Sequence, residues 1–341
     1  MRQYGLHFAG GAFAPTHLLR RHSRRWFCIG GVACLGSLAL AATRYPKLHA
    51  SSGGPYKLDP FAAGVEHRAW LIGENSFWLA ERDDNLLQIA RRTGLGYTEL
   101  IAANPNIDPW LPKPGTRIVL PTSHLMPAPS APGILINLAQ QRLFVVQGAD
   151  APVSSFPIGI GQEGWETPVG RTQVVRLRED PVWRVPPSIR AEVPSLPETV
   201  PPGPDNPLGT HAIDLGWQGF VIHGTNQPNG VGRRVSHGCI RLYPEDIEQL
   251  FEMVHVGMPV TVVDTPIISG WVGTTLYVEA HPTQRQSDQI EVFGKVVEND
   301  DKGGLDDIVC AAGRHADNIN WQRVAHIVQS RRGIPRPVLY S

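Results

Sequence analysis

The sequence predicts a mainly β protein that carries one small α+β unit ahead of its principal domain. Three observations lead to this class. Proline (31) and glycine (35) are abundant while aromatic residues make up 8% of the chain, a composition that favours short strands and turns over long helices. Short apolar runs bounded by Gly, Pro, Asn or Asp recur between Gly133 and Val263. Before them, helical periodicity is concentrated in a strand-helix-helix-strand pattern over residues 74–122. A length of 341 residues suits two or three domains.

The chain opens with Arg20-Arg21-His22-Ser23-Arg24-Arg25 and then an apolar run from Trp26 to Ala42. The run is long for a signal-peptide core and short for a membrane span. It ends in small residues, where Ala39 and Ala41 fit an A-x-A cleavage pattern, and Ser23-Arg24-Arg25-Trp26-Phe27 resembles a twin-arginine export motif. Residues 1–42 are therefore expected to be an export signal, with a retained N-terminal anchor as the alternative. The expected destination is the periplasm or cell envelope, with membrane contact only through this segment if it stays uncleaved. Acidic and basic residues balance at 31 each, which gives no nucleic-acid footprint. Because residues 1–42 hold five Arg and no acid, their removal leaves a mildly acidic protein.

Residues 43–73, with Ser51-Ser52-Gly53-Gly54-Pro55, read as a linker. Ser76 to Ala80 reads as a short strand. Asp84 or Asn85 can cap a helix with Leu86, Leu87, Ile89 and Ala90 at helical spacing, stopped by Thr93-Gly94. Thr98 is expected to cap a second helix that turns Leu100, Ile101 and Ala103 inward, with Glu99 near its positive start. Asn104-Pro105-Asn106 ends it, and Pro114-Gly115-Thr116 leads into a strand over Arg117 to Pro121. This βααβ pattern over 74–122 resembles a LysM module. The resemblance implies binding to peptidoglycan-type glycan strands, although Asp83-Asp84-Asn85 stands where such modules often carry Gly-Asp. The alternative is a small helical unit without a ligand.

His124 to Pro132 is proline-rich, and residues 123–132 are expected to form a stiff linker. The principal domain is placed at 133–264. Ile134 to Asn137 and Arg142 to Val146 read as a hairpin around Ala139-Gln140-Gln141, Val153 to Ile160 as a further strand, and Arg171 to Leu177 as another. The glycine-rich Gly161 to Gly170 lacks GK[ST] and a following helix, so it is not a phosphate loop. Residues 181–210 are so rich in proline that no helix or central strand is expected there, and they are read as a loop or lid over substrate. His211 to Leu215 and Phe220 to Ile222 read as strands. Tyr243-Pro244-Glu245-Asp246 opens an amphipathic helix with Ile247, Leu250, Phe251 and Val254 on one face, and Pro259 to Val263 closes the domain. In the extension at 265–341, Leu276 to Ala280 suggests a strand, Asp300 to Gly304 a turn and Trp321 to Val328 a helix; no chemistry is assigned to it.

The chemistry concentrates in Val221-Ile222-His223-Gly224-Thr225 and Val235-Ser236-His237-Gly238-Cys239-Ile240-Arg241. A thiol attacks as thiolate, and an ordinary cysteine titrates near pKa ~8.5, so it needs a base or a local positive potential. His237, two residues before Cys239, is poorly spaced for that work on an extended segment. His223, on its own strand, can approach from the front and is the preferred base. Ser236-His237-Gly238 then form a turn that lifts Cys239, with the N–H groups of Gly238 and Cys239 as candidate oxyanion donors. A structural cysteine with structural histidines, or a zinc set from His211, His223, His237 and Cys239, are the competing readings. Of four cysteines, Cys28 and Cys34 lie in the N-terminal segment, leaving Cys239 and Cys310; Cys239 is expected to be free.

Ile222-His223-Gly224-Thr225-Asn226 and Arg234 to Leu242 closely resemble the signature of L,D-transpeptidases of the YkuD type, which are cysteine acyltransferases of the cell wall. Thr167-Pro168-Val169-Gly170 and Asn206-Pro207-Leu208-Gly209 resemble further segments of the same family. The resemblance implies a mixed, β-sandwich-like catalytic domain and no cofactor or metal. It implies that Cys239 is the nucleophile, that His223 is general base and acid, and that a backbone carbonyl near Gly224 or Thr225 orients His223. His237 would shape the turn and support the oxyanion, with Gly238 donating its N–H. Ser236, Arg241, Gly224 and Thr225 are the candidate substrate-binding residues, Arg241 standing where many relatives carry Asn. The implied substrates are peptidoglycan stem peptides. The sulfur would attack the L-centre carbonyl before a terminal D-alanine, and the thioester would pass to an amine of another stem or of a wall-attached lipoprotein. The alternatives are an L,D-carboxypeptidase cutting the same bond and a non-catalytic peptidoglycan-binding protein.

Overall fold

A computed structural model describes residues 69–127, 132–148, 151–297 and 304–340. The export-signal reading of residues 1–42 lies outside the described residues, as do most of the first linker and the expected turn at 300–303. The protein is mainly β. Among the described residues no helix is long and apolar enough to cross a membrane.

The N-terminal unit runs β1 (Ala69–Ile72), β2 (Ser76–Leu79), α1 (Leu86–Arg92), α2 (Tyr97–Ala103), β3 (Arg117–Leu120) and β4 (His124–Pro127). β2 and β3 pair antiparallel, so β2-α1-α2-β3 has the βααβ order read from the sequence. Asn85 caps α1 by accepting the Gln88 N–H. Thr98 is not the cap of α2: Gly96 is, and Glu99 takes the Gly96 N–H at 3.0 Å because its carboxylate sits at the positive helix end. Asn104 ends α2 and ties it to β3, donating to Leu100 O and Val119 O and accepting from Val119 N, each at 2.8 Å.

Both expected linkers contribute strand. Ala69–Ile72 and His124–Pro127 pair antiparallel. His124, Leu125 and Met126 are buried, since one side of the ladder packs Ala69 and Leu125 on Ile268 and the other packs Met126 on Phe144 and Val146. Residues 123–126 of the expected linker are thus buried.

The principal unit contains β5 (Gly133–Asn137), β6 (Arg142–Val146), β7 (Ser154–Pro157), β8 (Ile160–Gly161), β9 (Gly170–Glu179), β10 (Trp183–Arg184), α3 (Pro187–Glu192), β11 (Thr199–Val200), β12 (His211–Leu215), β13 (Val221–His223), β14 (Arg234–Ser236), β15 (Ile240–Arg241), α4 (Pro244–Met253) and β16 (Pro259–Val263). Eight of these strands form one mixed sheet in the order β15-β13-β12-β9-β16-β5-β6-β7. The expected strand over 153–160 is broken into β7 and β8, and β8 leaves the sheet to pair with β14. The proline-rich segment does hold a short helix, α3, because Pro187 occupies its first turn, where no N–H is needed. Ile247 and Leu250 of α4 are fully buried in the same core as Ile213, Ile222 and Ile240.

The extension folds as β17 (Ile267–Val272), β18 (Thr275–Ala280), α5 (Gln284–Phe293), α6 (Leu305–Ala312), α7 (Trp321–Ser330) and β19 (Arg336–Pro337). Its three strands form an antiparallel sheet, and α6 and α7 cover it with Ile308, Val324 and Ile327. Helix α5 departs from this core: Ile290 is buried among the apolar residues of α1 and α2. The three parts also share polar contacts. Arg142 and Glu99 pair at 2.8 Å with side chains 3% exposed, and Glu279 accepts the Leu125 N–H at 2.5 Å and pairs with His281. Removing one member of a buried ion pair strands its partner's charge. Arg142→Ala is therefore expected to lower the unfolding free energy by about 3–5 kcal/mol in urea titration, with Arg142→Met/Glu99→Leu recovering most of it. A single-variant loss of only about 0–1 kcal/mol, as for surface pairs, would show that this contact does not hold the units together.

Candidate active site

The site is set by the register of three strands. Ile213, Ile222 and Ile240 stand side by side across β12, β13 and β15, and all three are buried on the core face. Side chains alternate along a strand, so their neighbours Val221, His223, Cys239 and Arg241 occupy the opposite face. His223 lies beside Arg241 in the parallel ladder, and Cys239 precedes Ile240, so the imidazole is diagonal to the sulfur. Asp214, opposite Val221, extends the same face and pairs with Arg178 at 2.6 Å.

His223 is buried, and its Nδ1 lies 2.6 Å from the Gly224 carbonyl. Nδ1–H donates there, which leaves Nε2 as the basic nitrogen. Burial lowers the His223 pKa to about 3; Arg241 adds to the fall, and the hydrogen bonds to Gly224 and Leu208 oppose it. Gly209 packs on this corner: its φ is +69°, and a Cβ there would lie 2.8 Å from Thr225 N. Asn206 fixes the approach from within, donating to Pro181 O at 2.7 Å and Pro201 O at 3.1 Å while accepting from Leu208 N.

Cys239 is in no disulfide with Cys310, and it is partly exposed. Its Sγ lies 3.6 Å from the Gly219 carbonyl. Burial pushes the Cys239 pKa up, the Val221 backbone bond and Arg241 pull it down, and Asp214 raises it. The turn before it is built by side chains. Ser236 Oγ donates to Cys239 O at 2.5 Å, and Thr167 Oγ1 donates to Gly238 O at 2.9 Å. Gly238 has φ +92°, and a Cβ there would meet the Phe220 ring at 2.8 Å, so only glycine fits the turn.

His237 Nε2 is 3.1 Å from Glu192 Oε2 on α3, and its ring packs edge-on against Trp165 with centroids 4.8 Å apart. His211 bonds Thr210 Oγ1 and packs on Phe251. Among the described residues no three His, Cys, Asp or Glu side chains are grouped to hold a metal. Ser236 and Thr225, candidates for substrate contact, are buried; Ser236 Oγ donates to Cys239 O and Thr225 Oγ1 accepts the Gln227 N–H. Gly224 contributes its carbonyl to His223 and its N–H to His211 O. Arg241 Nε is buried and has no hydrogen-bond partner among the described residues. Thr167, Asn206, Trp165 and Glu192 escaped the list of candidate residues. Thr167 and Asn206 had a signal, since both lie in the family-like segments quoted above. Glu192 had none.

Residues 131–262 match the YkuD family, the L,D-transpeptidase catalytic domain. The chain is 40% identical over 221 residues to a probable L,D-transpeptidase, YcfS, of Escherichia coli strain K12, covering 62% of this chain and 69% of that protein. It is 36% identical over 258 residues to the probable L,D-transpeptidase ErfK/SrfK of Salmonella typhimurium strain LT2, covering 73% of this chain and 81% of that protein. The corresponding Escherichia coli K12 protein is 42% identical over 205 residues, covering 58% and 66%.

Burial favours the uncharged form of both groups, a neutral thiol at Cys239 and a neutral imidazole at His223 on one face of the sheet. Alkylation of Cys239 by iodoacetamide, followed by peptide mapping, should therefore still be rising with pH above the ordinary thiol value of about 8.5. A plateau reached near neutral pH would mean a thiolate–imidazolium pair and would refute the neutral resting state.

Proposed function

The chain belongs to the YkuD family of L,D-transpeptidases, and on that premise we propose that it performs a two-step acyl transfer on peptidoglycan stem peptides. Cys239 is the nucleophile and His223 the general base. Nε2 of His223 takes the thiol proton as the sulfur attacks the carbonyl of the L-centre residue before a terminal D-alanine. The C–N bond breaks, D-alanine leaves with the proton returned by His223, and a thioester remains. An amine then attacks the thioester, His223 taking its proton and passing it to the departing sulfur. The acceptor amine belongs to a second stem or to a wall-attached protein.

One observation carries the assignment of roles: His223 is buried and held by the Gly224 carbonyl on the face of the sheet that Cys239 shares, while His237 is engaged by Glu192. A base that is neutral at working pH and has one nitrogen already bonded presents the other in a fixed direction. The N–H groups of Gly238 and Cys239 are proposed as oxyanion donors, with His237 supporting their turn. Arg241, whose Nε lacks a partner beside the sulfur, is proposed to bind a stem carboxylate.

The βααβ unit at residues 74–122 is proposed as a LysM-like binder of glycan strands. Its exposed Trp110, backed by the buried Tyr97 at 6.0 Å between ring centroids, offers one aromatic face suited to a sugar ring. Export to the periplasm or envelope follows from the substrate and from the N-terminal sequence.

Incubation with a purified tetrapeptide stem and mass spectrometry of the protein should show an adduct on Cys239 with loss of D-alanine. Cys239→Ala should abolish it, and His223→Ala should slow it by roughly 10²–10⁴-fold, with His237→Ala costing less. Cross-linked dimer among the products marks transpeptidation, and tripeptide marks hydrolysis. Turnover surviving in Cys239→Ala would remove the proposed nucleophile, and a smaller loss in His223→Ala than in His237→Ala would exchange the histidines' roles.

A further inference from the structure

The segment Gly230–Ser236 runs directly into His237-Gly238-Cys239, and its own sheet contacts are slight: β14 pairs only with the two-residue β8. Much of what fixes it comes from outside the catalytic sheet. On one side is the start of α2. The Thr98 N–H donates to Gly232 O at 3.0 Å, and the two backbones touch so closely that a Cβ on Gly232 would lie 2.2 Å from Gly96 Cα. The Arg233 guanidinium sits over the Tyr97 ring at 4.9 Å from its centroid.

On the other side is α5 of the C-terminal extension. Glu291 receives Arg233 in a two-point contact, with Nε to Oε1 at 2.8 Å and Nη2 to Oε2. Asp288 receives Arg234 Nη1, which also donates to Gln284 O at 3.2 Å. Arg234 Nε in turn donates to Gly161 O at 3.3 Å, joining α5 to the glycine-rich connection beside the turn. Asp288 and Glu291 are three residues apart and share a helix face. Their helix cannot drift, because Ile290 is buried in the N-terminal unit's core.

The Arg234 side chain is 5% exposed, so its charge depends on Asp288 in a way that a surface pair does not. Two-point arginine–carboxylate contacts also fix direction as well as distance. We propose that Asp288 and Glu291 are positioning residues for the transferase site: through Arg234 and Arg233 the C-terminal extension holds the strand that delivers Cys239 to His223. This rests on the acyl-transfer reading of Cys239 and gives residues 265–341 a role in it. Neither carboxylate touches substrate; each acts by fixing β14 and hence the turn that follows.

The test uses the full-length protein with Asp288→Asn, Glu291→Gln, their combination, and Asp288→Glu as the charge-keeping control. Acylation of Cys239 by the tetrapeptide stem is followed for kcat and KM, with circular dichroism and thermal melting on the same samples. The double variant should stay folded and lose roughly ten- to a hundredfold in kcat with KM little changed, as expected when a reacting group is displaced rather than a binding contact removed. Asp288→Glu should keep most of the rate. A wild-type kcat in the double variant, or a loss no larger than its loss of folded protein, would overturn the proposal. If the wild-type protein forms no adduct, the acyl-transfer reading fails, and positioning is read from iodoacetamide instead. The pH profile of Cys239 alkylation should then move toward that of an ordinary thiol in the double variant, and unchanged profiles would overturn the proposal.

Discussion

The molecule depends on the parallel contact between two very short strands, Val221–His223 and Ile240–Arg241. Only Ile222/Ile240 and His223/Arg241 are in register, yet that pairing decides which side of the sheet each functional group occupies. Burying Ile222 and Ile240 contributes roughly 1.5–3 kcal/mol each. A slip of one residue in either strand would turn that strand's isoleucine out of the core and drive its neighbour, the thiol or the imidazole, inward. The apolar residues beside the reacting groups therefore hold the geometry, and Ile213 extends the same stripe to the next strand.

Electrostatics follow from that placement. The site face is not uniformly charged: Arg241 and Arg178 lie near His223, and Asp214 lies near Cys239. Burial and the two arginines keep the imidazole unprotonated, and burial with Asp214 disfavours the thiolate. On the proposed acyl transfer, such a thiol rests protonated and gives up its proton to His223 only as the sulfur attacks, with the Gly224 carbonyl holding the imidazole through Nδ1.

Much of this was legible in the chain because periodicity and punctuation act locally. Asn85, Asn104, Pro244 and the alternation through 133–146 marked their elements, and His223 and Cys239 declared themselves by pattern. What was not legible depended on distant partners. The stretches 69–72 and 124–127 looked like linkers because each lacks a partner until the other folds against it. Proline-rich 181–210 hid α3, since Pro187 is tolerated in a first turn. Glu192, Asp288 and Glu291 are unremarkable surface carboxylates in sequence, and acquire meaning only where His237, Arg234 and Arg233 meet them. The turn bonds of the Ser236 and Thr225 hydroxyls were hidden for the same reason, since their partners are set by how the chain folds. Among the described residues the three parts are joined by such long-range contacts: Arg142 with Glu99, Leu125 with Glu279, and Arg233 and Arg234 with Glu291 and Asp288.

Nitrogen NMR of protein labelled in its histidine rings tests the basis of all this most directly, with His223→Gln used to assign the signal. At a pH near the ordinary imidazole value of about 6.5, the His223 ring should show one protonated nitrogen, Nδ1, and one bare nitrogen, Nε2. A doubly protonated ring at that pH, or a proton on Nε2 with Nδ1 bare, would mean that the register does not create a neutral base aimed at the sulfur.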